Sequence, residues 1–120
     1  MRVLALRGAT TCDENTKEEV DIKTQTLVEA MLERNAIAHD DIVSIIFTAT
    51  DDITAEFPAT AARTLGLGDV PLICARELGI VHGKPLCIRV LMHMETDRSR
   101  ADLHHVYLEG ARSLRDDLPE

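Results

Sequence analysis

Two arginines fall inside segments whose alternation predicts strands: Arg7, at the end of Arg2-Val3-Leu4-Ala5-Leu6-Arg7, and Arg89, between Ile88 and Val90. A guanidinium is not readily neutralised, so one placed in a buried strand requires an anionic partner or ligand. One reading is an ion pair with a carboxylate such as Glu77. The other is a site that grips a substrate carboxylate through bidentate, charge-assisted bonds. Thirteen Lys+Arg against twenty-one Asp+Glu give a net charge of −8, so the chain would have to focus positive charge locally to hold an acidic metabolite.

Other chemistry is thinly represented. Gly66-Leu67-Gly68 lacks a third glycine and does not follow a strand, and no Gly-Lys-Ser/Thr is present, so no cofactor loop is predicted. His104 and His105 are neighbours in a predicted strand and would face opposite sides of the sheet, which suits tetrahedral ligation poorly. No metal and no cofactor are expected. Cys12, Cys74 and Cys87 are odd in number and include no Cys-x-x-Cys pair. A nucleophilic pairing of Cys74 or Cys87 with a distant histidine competes there with the plainer role of a small buried hydrophobe in a reduced cytoplasm.

The acidic balance also repels phosphate backbones and anionic lipid, so neither nucleic acid nor a membrane is an expected partner. Phe47, Phe57 and Tyr107 are the only aromatics, too few for base-stacking platforms. The core must be built from Leu, Ile, Val, Ala and Met, which makes the role of Tyr107 a question of function. The N-terminal run has neither the length of a signal-peptide apolar region nor a cleavage site, and no targeting, anchoring or spanning segment is expected.

These residues need a scaffold, and 120 residues suit one domain, 1–120, with a polar tail over about 115–120. In a first strand over 2–10, Val3, Ala5, Arg7 and Ala9 share one face. Thr16 and Glu19 have capping-box spacing, and Val20, Leu27, Val28, Met31 and Leu32 recur at helical intervals, predicting a helix over 16–35 that Asn35 ends in a left-handed conformation. The run 42–48 is apolar on both parities and reads as a central buried strand. Pro58 opens a short second helix closed by Gly66 and Gly68, and Val70 to Ala75 reads as a third strand. Leu86, Ile88, Val90, Met92 and Met94 hold one parity of a long strand, and Cys87, Arg89, Leu91 and His93 the other. A short strand over 104–108 precedes a C-terminus expected to fray beyond Leu114. The order is β-α-β-α-β-β-β, an α/β (α+β) mixed sheet with two main helices.

Five islands carry a resemblance: Arg7-Gly8-Ala9-Thr10-Thr11; Ala49-Thr50-Asp51 with Phe57-Pro58-Ala59; Val70-Pro71-Leu72-Ile73-Cys74; Cys87-Ile88-Arg89-Val90; and His105-Val106-Tyr107-Leu108-Glu109. In that order and spacing, over residues 7 to about 115, the chain resembles the small single-domain chorismate mutases of the trimeric, barrel-like class. The resemblance implies a pseudo α/β barrel formed as a homotrimer, with sites at subunit interfaces, and an isomerase that converts chorismate to prephenate in phenylalanine and tyrosine biosynthesis. A Claisen rearrangement needs no nucleophile, metal or proton transfer. The enzyme holds the dianion in its compact reactive conformer and opposes the charge that develops as the ether bond breaks.

Carried over residue by residue, the resemblance makes Arg89 the cation beside the ether oxygen, and Arg7 and Tyr107 the holders of the enolpyruvyl carboxylate. Glu77 matches the acid at the ring hydroxyl, with Cys74 either adding a weaker contact there or favouring the positively polarised ring. Arg63 resembles a mobile cation at the mouth, and Phe57, Ala59, Ile73 and Leu114 would be apolar walls. Thr60 stands where the family carries a lysine, which removes one cation from the substrate-binding set. Arg115 is a further cation near the site or a solvated charge. Two other classes remain: a trimeric enamine/imine deaminase, which also holds a carboxylate with a buried arginine, and a metabolite-binding trimer without turnover.

Overall fold

The computed structural model describes residues 1–114. Its first strand, β1 (Arg2–Thr11), sends Leu4, Leu6 and Thr10 inward and leaves Val3, Ala5 and Arg7 on the other face, as period-two alternation requires. Helix α1 (Lys17–Arg34) begins where Thr16 accepts from the backbone N–H of Glu19. The Glu19 carboxylate accepts from the Asp13 N–H rather than closing a box on Thr16. Strand β2 (Ile42–Ala49), helix α2 (Pro58–Ala62), β3 (Leu72–Arg76), β4 (Cys87–Thr96) and the two-residue β5 (Val106–Tyr107) follow.

The sheet runs β3-β2-β4-β1-β5, with β4 in the centre. It is mixed: β4 is antiparallel to both β1 and β2, while β1 pairs with β5, and β2 with β3, in parallel. Leu27, Val28 and Met31 of α1 and Ala59 and Ala62 of α2 bury one face of it against Leu6, Ile45, Phe47, Val90, Met92 and Met94. Gly8 lets α1 approach β1, since a Cβ there would stand 2.5 Å from the Met31 sulfur. The Ile88-to-Met94 parity is therefore covered by the chain's own helices. The apolar surface left open lies on the opposite parity, at Val3, Ala5 and Ile73.

Several expectations change in detail. Residues 42–48 form a strand beside the centre that is buried on one face only, with Val43 exposed and Ile46 half-buried. Asn35 is not left-handed (φ −110°); Ala36 takes that conformation at φ 50°. The buried Asn35 amide is held in place by three hydrogen bonds, accepting from the His104 N–H and donating to the His104 and Met31 carbonyls. That clamp occupies the backbone of residue 104, so β5 is shorter than the predicted 104–108. The second helix continues past Ala62 as a wider π-type turn over Arg63–Leu67, which Gly66 ends at φ 88°. The expected fray beyond Leu114 lies outside the described residues.

Candidate active site

The open face of the sheet carries the arginines. Ala9 pairs with Arg89 on one side and with Tyr107 on the other, and Arg89 pairs with Thr48, so Tyr107, Ala9, Arg89 and Thr48 form one row across four strands. Arg7, opposite Leu91, is one pleat further along the same face. Neither arginine is buried, because α1 and α2 both pack on the other side of the sheet; Arg7 is half-buried and Arg89 nearly half exposed.

Arg89 has a carboxylate partner. Its Nε lies 3.5 Å from Glu77 Oε2, and the same oxygen accepts from the Thr48 hydroxyl at 2.6 Å. Glu77 follows β3 directly, and its N–H donates to the Ala49 carbonyl, which extends the β2–β3 pairing far enough to bring the carboxylate over Thr48. Arg89, Glu77, Cys87, Lys84 and Leu114 line a common cavity of about 640 Å³.

The Ala49-Thr50-Asp51 island fixes where β4 starts. The Thr50 N–H donates to the Cys87 carbonyl, its hydroxyl accepts from the Cys87 N–H, and Asp52 accepts from the Leu86 N–H. Arg89 is thereby held two residues from a pinned strand end. On the far side of the row, a 3-10 turn over Glu109–Ser113 folds back across the sheet. The Gly110 N–H donates to the Thr11 hydroxyl and Lys23 pairs with Glu109 at 2.9 Å, so Ala111 and Leu114 pack on Ala9 and Tyr107.

The remaining candidates lie elsewhere in the chain. Phe57 and Cys74 line a second cleft of about 480 Å³ with Ile53, Pro58 and Arg76. Cys74 packs against the helix-side core, whereas Glu77 meets Thr48 and Arg89 on the other face, so within one chain the thiol gives no contact at the Glu77 carboxylate. Ala59 is buried in the core and is no cleft wall within the chain. Thr60 reaches Glu56, Arg63 is exposed on the helix, and Ile73 stands 61% exposed on the open face. Arg115 lies outside the described residues.

Neither buried thiol is activated. Burial pushes Cys12 up to about 11, helped by the nearby Glu19, and burial also raises Cys87 despite the opposing pull of the Arg89 guanidinium. Among the described residues, no three His, Cys, Asp or Glu side chains gather as a metal site. No helix among them is long and apolar enough to cross a membrane.

Sequence reasoning missed Thr48, Asp52 and Lys84. Thr48 shares its parity on β2 with the face that receives Arg89, which a register-level reading could have found. Lys84 and Asp52 enter through loops, where no period applies.

The chorismate mutase type I family model matches residues 3–118 of the sequence. The chain belongs to that family. It is 41% identical to the chorismate mutase AroH of Bacillus subtilis (strain 168) over 119 residues, covering 98% of this chain and 94% of that one. Against the chorismate mutase AroH of Thermus thermophilus the identity is 43% over 117 residues, covering 97% and 96%. The solved chorismate mutase from Clostridium thermocellum superposes with a TM-score of 0.89 at 47% identity, covering 91% of this chain and 97% of that chain. The mixed five-stranded sheet with two helices is thus the chorismate mutase fold of this class.

Proposed function

We propose that this chorismate mutase rearranges chorismate to prephenate through charge held on the open sheet face, in the cytoplasm, on the route to phenylalanine and tyrosine. The observation that carries this reading is the Arg89–Glu77 pair inside one open cavity. Glu77 Oε2 is committed to Thr48 and Arg89, so Oε1 is the oxygen that remains to accept from the ring hydroxyl. Arg89 then stands beside the ether oxygen, where negative charge grows as the bond breaks, and its guanidinium opposes that charge without reorganising. Arg7 and Tyr107, on the same face, hold the enolpyruvyl carboxylate. Leu114 supplies an apolar wall, and water exclusion there strengthens each charge interaction.

The active unit is a homotrimer whose sites form between neighbouring copies. Support comes from what one chain leaves apart: Phe57, 68% exposed, and Ile73 lie outside the Arg89 cavity, while Val3, Ala5 and Ile73 leave the open face uncovered. A neighbour that covered this face could bring its Phe57, Cys74 and Arg63 toward Arg89, completing a site that one chain leaves half-built.

The test is chorismate consumption with stoichiometric prephenate formation by purified protein treated with chelator. Turnover should persist, with no pair of kinetic pKa values near 7, since a pericyclic step has no acid and base to titrate. Chorismate that binds and is recovered unchanged would sink the reading.

A further inference from the structure

The Arg7 N–H does not follow the sheet's own pattern. With Ala9 paired to Tyr107 in parallel and the Leu108 N–H donating to the Ala9 carbonyl, a continued ladder would give the Arg7 N–H the carbonyl of His104. That carbonyl is taken by the Asn35 amide at 2.9 Å. The Arg7 N–H donates instead to His105 Nδ1, at 2.9 Å. A backbone N–H can only donate, so Nδ1 must accept, and the ring carries its proton on Nε2.

We propose that His105 is a positioning residue for Arg7: its imidazole stands in for the missing ladder carbonyl and extends the β1–β5 pairing by one pleat. The role rests on the reading of Arg7 and Tyr107 as carboxylate holders. His105 lies two residues before Tyr107 and bonds the backbone of Arg7, so one ring sets the spacing of both groups. Without it, the Arg7 N–H would be left unpaired in a half-buried place and the strands would be free to part at the row that presents the guanidinium. Arg7 meets a carboxylate that is anionic in both ground and transition states, so a loss of position should weaken binding more than it slows the chemical step.

Three variants separate an acceptor at the Nδ1 position from mere bulk. His105→Leu keeps a branched side chain and removes the acceptor; KM for chorismate should rise roughly tenfold with kcat within about twofold. His105→Asn places its amide oxygen where Nδ1 stood and should bring KM back close to that of the parent protein. His105→Gln carries its oxygen one carbon too far and should behave like the leucine variant. Asparagine and leucine variants with equal KM would overturn the proposal, as would nitrogen NMR of the unaltered protein showing the proton on Nδ1. Should the leucine variant fail to fold, the asparagine–glutamine contrast and the NMR tautomer still decide. Arg7→Ala runs alongside: if it leaves KM unchanged, the role given to Arg7 fails, whereas if it raises KM and loss of the His105 acceptor does not, the positioning role fails.

Discussion

Thr48 donates its hydroxyl to Glu77 at 2.6 Å, on the carboxylate oxygen that also faces Arg89 at 3.5 Å. Thr48 and Arg89 are directly paired across β2 and β4, so the position of the acid is set by the sheet register and not by the loop that follows it. An acid held only by Arg89 would be drawn onto the guanidinium and would neutralise the cation that we propose opposes charge on the ether oxygen. The threonine keeps the carboxylate shared between two donors.

Thr48→Val keeps the shape and removes the donor. A hydrogen bond to a charged group contributes roughly 1.5–3 kcal/mol, so kcat/KM should fall about tenfold or more. Steady-state kinetics with a parallel denaturation curve checks this. A variant as active as its parent would mean that Glu77 needs no second donor.

The oligomer is tested on the face that the helices leave open. Light scattering should give a mass three times that of the chain. Ile73→Asp puts a charge on a side chain already 61% exposed within the chain, so the fold should survive while the assembly and its activity are lost. An active monomer at assay concentration would refute the interfacial site.

How much of this was legible in the sequence depended on which period governed each residue. Alternation placed Arg7 with Val3 and Ala5, and Arg89 with Cys87, Leu91 and His93, as the structure has them. It could not say which face the helices would take. The parity of Ile88, Val90, Met92 and Met94 is core, because α1 and α2 both pack on that side. Asn35 carried a turn signal, but its backbone follows the bonds of its side chain to residue 104, sixty-nine positions away. Cys74 and Glu77 are close in sequence yet lie on opposite faces, a consequence of strand parity that resemblance alone did not settle.

Alkaline pH should weaken the fold through Cys12. Burial raises this thiol from 9.0 to about 11, so between those values the folded chain keeps a proton that the unfolded chain has released. Its contribution is complete below pH 9, falls as pH rises, and is gone above about 11. A shift of that size corresponds to roughly 2–3 kcal/mol, and Cys87, also raised by burial, acts in the same direction. Urea midpoints from pH 8 upward should drop, and Cys12→Ala, though less stable at neutral pH, should show a shallower decline. Parallel declines in the two proteins would assign the effect to other groups.

In the proposed site Arg89 and Arg7 should fail in different ways, because the first is assigned to charge that appears chiefly in the transition state and the second to a charge present throughout. Replacing Arg89 with citrulline keeps the planar shape and removes the positive charge. Loss of one transition-state donor costs ~10²–10³ in kcat, and a cation in a cavity that the proposed trimer closes should cost at least that, with KM changed only modestly. The citrulline variant loses its attraction to Glu77 as well, so oligomeric mass and thermal transition must be measured beside the kinetics to show that the carboxylate has not unfolded the start of β4. Arg7→Ala should instead raise KM, since the carboxylate assigned to it is anionic before and during the reaction. If the citrulline variant kept its kcat and lost only affinity, Arg89 would be a binding cation like Arg7, and the ether oxygen would need another source of stabilisation, for which Lys84, lining the same cavity, would be the next residue to replace.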